Sequence, residues 1–295
     1  MARQFDARWL DVQYNNRARV PECVQQFAEW DQQSAAARRT QTGHIDMAYG
    51  DAPKDRLDIF PAARANAPVL VFIHGGYWRA LDKSGHSFIA PAFTAAGACV
   101  VVPGYALCPG TPESPTTIPS ITLQMVRALA WTWRNIAAHG GDPGRITVVG
   151  HSAGGHLAAM SMACAWDVFS ADLPRGLVKN ALSISGLFDL ETIRQTPFLQ
   201  DVLRLTPNDA RDCSPALLPR SENGALYAVV GARESEEFLR QNQLIQQAWG
   251  RRCVPVCEAL PDLNHFTILE TLVAPGSRLN RLALELLGLG LAPTV

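Results

Sequence analysis

Short apolar runs alternate along this chain with segments whose apolar residues recur at three- and four-residue steps. Val69-Leu70-Val71-Phe72-Ile73 and Cys99-Val100-Val101-Val102 are unbroken apolar stretches. A strand wetted on one face would alternate apolar with polar, so these runs predict strands covered on both faces. Residues 146–149, 181–184 and 226–230 repeat the pattern. Residues 254–259 form a weaker last strand, whose Pro255 suits a sheet edge. Residues 44–49 and 56–60 read as two earlier strands in antiparallel pairing. Between strands, Val126, Leu129, Trp133 and Ile136 make a core-facing helical stripe. A helix is predicted from near Ser235 to Trp249, stopped by Gly250. Strands separated by helices imply an α/β fold, a mostly parallel twisted sheet with helices on both faces.

The whole chain, 1–295, reads as a single domain, with two segments outside the alternation. Residues 1–42 are helical and polar and precede the sheet; residues 190–222 lack strand character. Each has two readings: a small helical cap over the sheet, or plain surface helix.

Composition narrows the function classes. At 47% hydrophobic and 18% charged, the chain can bury a sizeable core, and its net charge of −1 with no basic block gives nucleic acid no footprint. No apolar run reaches the ~18 residues that a membrane span needs, and Met1-Ala2-Arg3-Gln4-Phe5-Asp6 is not a secretory signal. The seven cysteines are odd in number and form no Cys-x-x-Cys pair, which fits small buried hydrophobes in a reducing cytoplasm. Histidines and cysteines show no metal-ligand spacing and no phosphate loop is present, so neither metal nor cofactor is expected.

The chemistry gathers at predicted strand ends, where α/β sheets collect functional groups. Gly150-His151-Ser152-Ala153-Gly154-Gly155-His156 follows the strand at 146–149 and precedes the helical run Leu157-Ala158-Ala159-Met160. A serine between such glycines on a strand-to-helix turn stands clear of the backbone as a nucleophile, and a β-carbon at Gly150 or Gly154 would crowd the turn. His74-Gly75-Gly76-Tyr77-Trp78 follows the strand at 69–73. Acyl transfer places negative charge on a carbonyl oxygen, and one N–H donor about 3 Å away is worth ~10²–10³ in rate. The amides of Gly76, Tyr77 and Ala153 are assigned to that oxyanion hole, with His74 and Gly75 supporting the loop. Tyr77 and Trp78 either narrow the pocket or pack in the core.

Serine needs a base, and among seven histidines only His265 lies after both the nucleophile and an acid candidate. His151 and His156 flank Ser152 and are assigned packing or hydrogen-bond roles. Glu234, which follows the strand at 226–230 through Gly231-Ala232-Arg233, is the favoured acid; Asp189 and Asp262 are its rivals. Glu236 and Glu237 read as helix N-terminal charges.

The set His74-Gly75-Gly76-Tyr77-Trp78, Gly150-His151-Ser152-Ala153-Gly154-Gly155-His156, Val230-Gly231-Ala232-Arg233-Glu234 and Asn264-His265-Phe266 resembles the arylformamidase (kynurenine formamidase) branch of the α/β-hydrolases, near the hormone-sensitive-lipase-like esterases. The resemblance covers about residues 44–290. It implies a metal-independent serine hydrolase with Ser152, an acid matching Glu234, and His265, acting on a small aromatic amide or ester. The family's acid is usually aspartate, so Glu234 is a departure. Tyr14-Asn15-Asn16-Arg17 also resembles bacterial members of this group, without a role that the residues themselves supply. The substrate implied is an aryl formamide, with a short-chain ester as the alternative; a homodimer stays open.

Overall fold

The apolar runs become the inner strands of one eight-stranded sheet in a computed structural model that describes residues 6–219 and 224–290. The strands are β1 (His44–Ala48), β2 (Arg56–Phe60), β3 (Ala67–Ile73), β4 (Cys99–Pro103), β5 (Gly141–His151), β6 (Val178–Ile184), β7 (Leu226–Gly231) and β8 (Val256–Leu260). Their order across the sheet is β1-β2-β4-β3-β5-β6-β7-β8. The pairs β1–β2 and β2–β4 are antiparallel; every later pair is parallel. Central β3 has all seven residues buried, and Val71 pairs with Val101 on one side and Val148 on the other.

Period-2 alternation splits β3 between two core layers. Val69, Val71 and Ile73 pack with Met125, Leu129, Leu157 and Ala158 of the helices Ile118–Asn135 and Ala153–Ala163. Leu70 and Phe72 pack on the opposite face with Leu279 and Leu282 of the helix Arg278–Leu286. Burying such a side chain is worth about 1.5–3 kcal/mol, so these few residues carry a large share of a typical stability of ~5–15 kcal/mol.

Element ends moved where backbone chemistry competes with the pattern. β8 begins at Val256, after Pro255, which has no N–H for the ladder, and it is one of the two edge strands. β5 reaches back to Gly141 and β6 to Val178, both through polar residues that hydrophobic patterning does not register. The helix Glu236–Trp249 starts at Ser235, whose hydroxyl accepts from the Phe238 amide, and ends at Gly250 with φ 78°.

The two outlying segments are helical. The first holds helices Ala7–Tyr14, Asn16–Arg19 and Cys23–Thr40; the second holds Glu191–Arg194, Pro197–Leu203 and Pro207–Asp212. Residues 1–5 and 220–222 of those segments lie outside the described residues. No helix among the described residues is long and apolar enough to cross a membrane.

Candidate active site

Because β3, β5, β6, β7 and β8 run parallel, the residues that come after them emerge at one edge of the sheet. His74 follows β3, Ser152 follows β5, Ser185 follows β6, Glu234 follows β7 and His265 follows β8. Segments remote in sequence thus meet at one rim.

Ser152 sits at φ 56°, ψ −117°, a strained conformation for a non-glycine residue, costing of the order of 1–3 kcal/mol. Three contacts hold it there. The Ser152 amide donates to Ile184 O at 2.8 Å, the His156 amide donates to Ser152 O at 3.1 Å, and the turn packs hard against β3. A β-carbon on Gly154 would run into the Ile73 carbonyl, and one on Gly150 into the Gly154 carbonyl. The helix Ala153–Ala163 begins at the next residue, so its positive end faces the serine.

His265 Nδ1 lies 2.6 Å from Glu234 Oε2. The other carboxylate oxygen, Oε1, accepts from Ser185 Oγ at 2.5 Å and from the Gly231 amide at 2.9 Å. The Glu234 side chain is fully buried. Two donors therefore pin one oxygen and leave the other as an acceptor for an Nδ1–H, which keeps Nε2 unprotonated in the neutral ring. His265 is also held from the side of Ser152. His151 Nε2 donates to the His265 carbonyl at 2.8 Å, with the two ring centroids 4.8 Å apart. Burial holds the His151 pKa well below the usual histidine value, so it stays a neutral brace.

The rival acids lie elsewhere. Asp189 accepts from the Glu191 amide at 3.1 Å and faces Arg240 at 3.7 Å. Asp262 pairs with Arg233 at 2.5 Å, with its side chain 80% exposed. Glu237 lies in the first turn of the helix Glu236–Trp249, as its reading as a helix N-terminal charge has it, and it also has partners. It is buried, paired with Arg240 at 2.8 and 2.9 Å, and accepts from Tyr14 Oη at 2.9 Å.

The glycine loop lies directly against Ser152. A β-carbon on Gly75 would come within 2.9 Å of His151 O and 3.0 Å of Ser152 Cβ. Gly76 has φ 104°, and Tyr77 and Trp78 also adopt positive φ. Among the described residues, no protein acceptor takes the amides of Gly76, Tyr77 or Ala153. The brace beneath the loop is His74, whose ring stacks on Tyr105 with centroids 4.2 Å apart. His74 Nδ1 donates to Gly75 O at 2.8 Å, and Tyr105 Oη reaches the His74 and Gly75 carbonyls at 2.9 and 3.0 Å. Burial lowers the His74 pKa to about 3, so it carries no proton at neutral pH. Trp78 takes the core alternative. It is fully buried and meets His156 edge-on, while His156 Nε2 donates to Cys213 O at 2.7 Å.

Ser152 and His265 open on a cavity of about 490 Å³. Gly76 and Tyr77 line it from the loop, Phe198 and Val202 from the 190–219 segment, and Tyr14, Arg17, Phe27 and Trp30 from the N-terminal segment. Sequence reasoning overlooked Ser185, Tyr105, Arg79 and Phe198. The available signal for Ser185 was its position directly after β6, matching those of His74 after β3 and Ser152 after β5. Tyr14 gains a structural account: it is buried, with Oη 2.6 Å from Thr192 Oγ1, and its carbonyl accepts from Tyr77 Oη at 2.6 Å. Among the described residues, no cluster of His, Cys, Asp and Glu could hold a metal.

A twisted, mostly parallel eight-stranded sheet with a strained serine after β5 and a carboxylate-held histidine after β8 defines an α/β-hydrolase. The chain belongs to the carboxylesterase family, whose profile matches residues 6–240. Among α/β-hydrolases it is similar to kynurenine formamidases and to esterases. It is 28% identical to the kynurenine formamidase of Danio rerio over 252 residues, 83% of this chain and 82% of that protein. Esterase LipQ of Mycobacterium tuberculosis is 33% identical over 255 residues, 77% of this chain and 58% of that one. A crystal structure of a candidate thioesterase from Silicibacter superposes with a TM-score of 0.78 at 29% identity, covering 92% of this chain and 97% of that one. The protein is therefore an enzyme, a hydrolase of formamide or ester substrates.

Proposed function

We propose that the protein hydrolyses aryl formamides through a formyl-enzyme, with Ser152 as nucleophile, His265 as base, Glu234 as its orienting acid and the amides of Gly76, Tyr77 and Ala153 as oxyanion hole. The observation that carries this reading is the buried Glu234–His265 pair, 2.6 Å apart, with His265 and Ser152 on one cavity. Ser152 Oγ bonds to the formyl carbon while its proton passes to His265 Nε2, the nitrogen that Glu234 leaves free. The oxyanion rests on the three amides. His265 then gives its proton to the departing arylamine nitrogen as the C–N bond breaks. Water, deprotonated by the same Nε2, attacks the formyl ester, and formate leaves as Ser152 recovers its proton. An arylamine is a poor leaving group until protonated, so a fixed imidazole matters more here than for a phenyl ester. The likeness to kynurenine formamidases supports the formamide. Seven cysteines without a disulfide between them support a reducing cytoplasm as its setting.

The second reading, a short-chain carboxylesterase, is favoured by the likeness to esterase LipQ. Steady-state kcat/KM for N-formylkynurenine and for p-nitrophenyl acetate, in wild type and Ser152→Ala, separates the two. Preference for the formamide supports the first reading, and ester turnover alone supports the second. Unchanged rates in Ser152→Ala reject serine chemistry.

A further inference from the structure

Tyr14-Asn15-Asn16 breaks a helix where it meets the oxyanion loop. Tyr14 ends the helix Ala7–Tyr14, and in an unbroken helix its carbonyl would accept from the Ala18 amide. Here that amide donates to Asn15 Oδ1 at 3.2 Å, and Asn15 caps the next helix, Asn16–Arg19. Asn15 thereby diverts the usual donor of Tyr14 O. The freed carbonyl accepts from Tyr77 Oη at 2.6 Å, and Asn16 Nδ2 donates to the same phenol oxygen at 3.5 Å. Burial, and next the neighbouring Tyr14, raises the Tyr77 pKa well above its usual value, so the hydroxyl stays a donor.

Tyr14 is itself fixed to the acid's side of the site. Its Oη donates to Glu237 Oε2 at 2.9 Å and accepts from Gln241 Nε2 at 3.1 Å. Its ring meets Phe238 edge-on at 5.7 Å, and neighbouring Gln13 Oε1 accepts from the Glu237 amide at 3.3 Å. All three partners sit on the helix Glu236–Trp249, which begins just after Glu234.

The oxyanion loop needs such a hold. Gly76, Tyr77 and Trp78 have φ of 104°, 49° and 53° in succession. A non-glycine residue held there costs of the order of 1–3 kcal/mol and persists only where its surroundings over-determine it. Beneath the loop, Trp78 is buried and its carbonyl accepts from the Cys108 amide at 2.8 Å. On the cavity side the Tyr77 ring meets Phe198 edge-on at 6.0 Å, and its hydroxyl reaches Tyr14 O. A tyrosine side chain turns about two bonds, so fixing the phenol oxygen restricts the backbone that carries the amide.

We propose that Tyr14-Asn15-Asn16 clamps the oxyanion loop through Tyr77 Oη, which makes Tyr77 and Asn15 positioning residues of acyl transfer. The proposal rests on the oxyanion-hole reading above and supplies what keeps that hole in shape.

Tyr77→Phe keeps the ring and removes the tether. Its kcat falls about 10- to 100-fold for N-formylkynurenine and p-nitrophenyl acetate alike, with KM changed less than about threefold and Tm near wild type. Ki for trifluoroacetophenone, which Ser152 converts to a tetrahedral oxyanion, rises by the same factor. Ki for acetophenone, which binds without addition, does not move. Asn15→Ala returns the Ala18 amide to Tyr14 O and lowers kcat in the wild-type background but not in Tyr77→Phe, because one tether cannot be lost twice. Asn15→Ser caps the same turn and restores kcat. A kcat for Tyr77→Phe within about twofold of wild type, a loss carried by KM or shared by both ketones, or losses of the two variants that multiply, overturns the clamp. Gly76→Ala separates this proposal from the reading beneath it. If Gly76→Ala lowers kcat and Tyr77→Phe does not, the clamp falls and the oxyanion hole stands. If neither lowers kcat, the hole falls with the clamp.

Discussion

Replacing Glu234 by glutamine changes one atom of the carboxylate and nothing of its volume. The surroundings determine the effect. Oε1 receives two donors, Ser185 Oγ–H at 2.5 Å and the Gly231 N–H at 2.9 Å. A glutamine must place its carbonyl oxygen there, because its NH₂ would meet the Gly231 N–H head on. The NH₂ then faces His265 Nδ1, at the 2.6 Å contact now made by Oε2. Two donors cannot share that contact, so Nδ1 must become the acceptor and the ring proton moves to Nε2. A ring protonated at Nε2 cannot take the proton of Ser152. Holding the wrong tautomer costs ~10⁴ in kcat in serine hydrolases generally, equivalent to about 5–6 kcal/mol of barrier. The expected result is therefore a loss of ~10⁴ in kcat for both formamide and ester, with KM little changed and Tm near wild type. Nitrogen NMR of the labelled His265 ring should show the proton on Nδ1 in wild type and on Nε2 in Glu234→Gln. A loss below about 10-fold, or an unchanged tautomer, would refute the assignment of Glu234 as the orienting acid.

Two further outcomes are expected. Gly76→Ala forces a β-carbon onto the Ala80 carbonyl at φ 104°, which displaces the Gly76 and Tyr77 amides. Its kcat should fall ~10²–10³-fold, the worth of an oxyanion donor, while active-site titration still counts a reactive serine. Stability should also decline on acidification, because burial lowers the pKa of His74 to about 3 and of His86 and His156 to about 4. Each of these rings binds its proton in the unfolded chain below about pH 6.5 but not in the fold. Stability is thus fully present above pH 6.5 and lost between there and about pH 4 for His86 and His156 and about pH 3 for His74, with a slope near pH 5 of about 4 kcal/mol per pH unit for the three. Urea midpoints that stay level from pH 7 to pH 5 would contradict neutral burial of these rings.

The fold was legible because inner parallel strands have no wet face. Cys99–Pro103 and Ala67–Ile73 are buried throughout, so their sequence is apolar without interruption. Ser152, His265 and Glu234 stood out through glycine chemistry and chain order, which are local or ordinal signals. What escaped depends on pairing across long separations. Glu237 read only as a helix N-terminal charge, because its partner Tyr14 lies 223 positions away and reaches it only after folding. Trp78 follows the loop glycines and invited a pocket role, yet its positive φ of 53° turns the backbone and the indole is buried in the core.

One measurement bears on the whole account: intact-protein mass spectrometry with peptide mapping after reaction with a fluorophosphonate, tracked in parallel by formamide and ester turnover. The account predicts one phosphonyl group per chain, located on Ser152, with both activities lost in proportion to labelling and neither label nor turnover in Ser152→Ala. Turnover that survives full labelling of Ser152, or a label on another residue that tracks the lost activity, would contradict it.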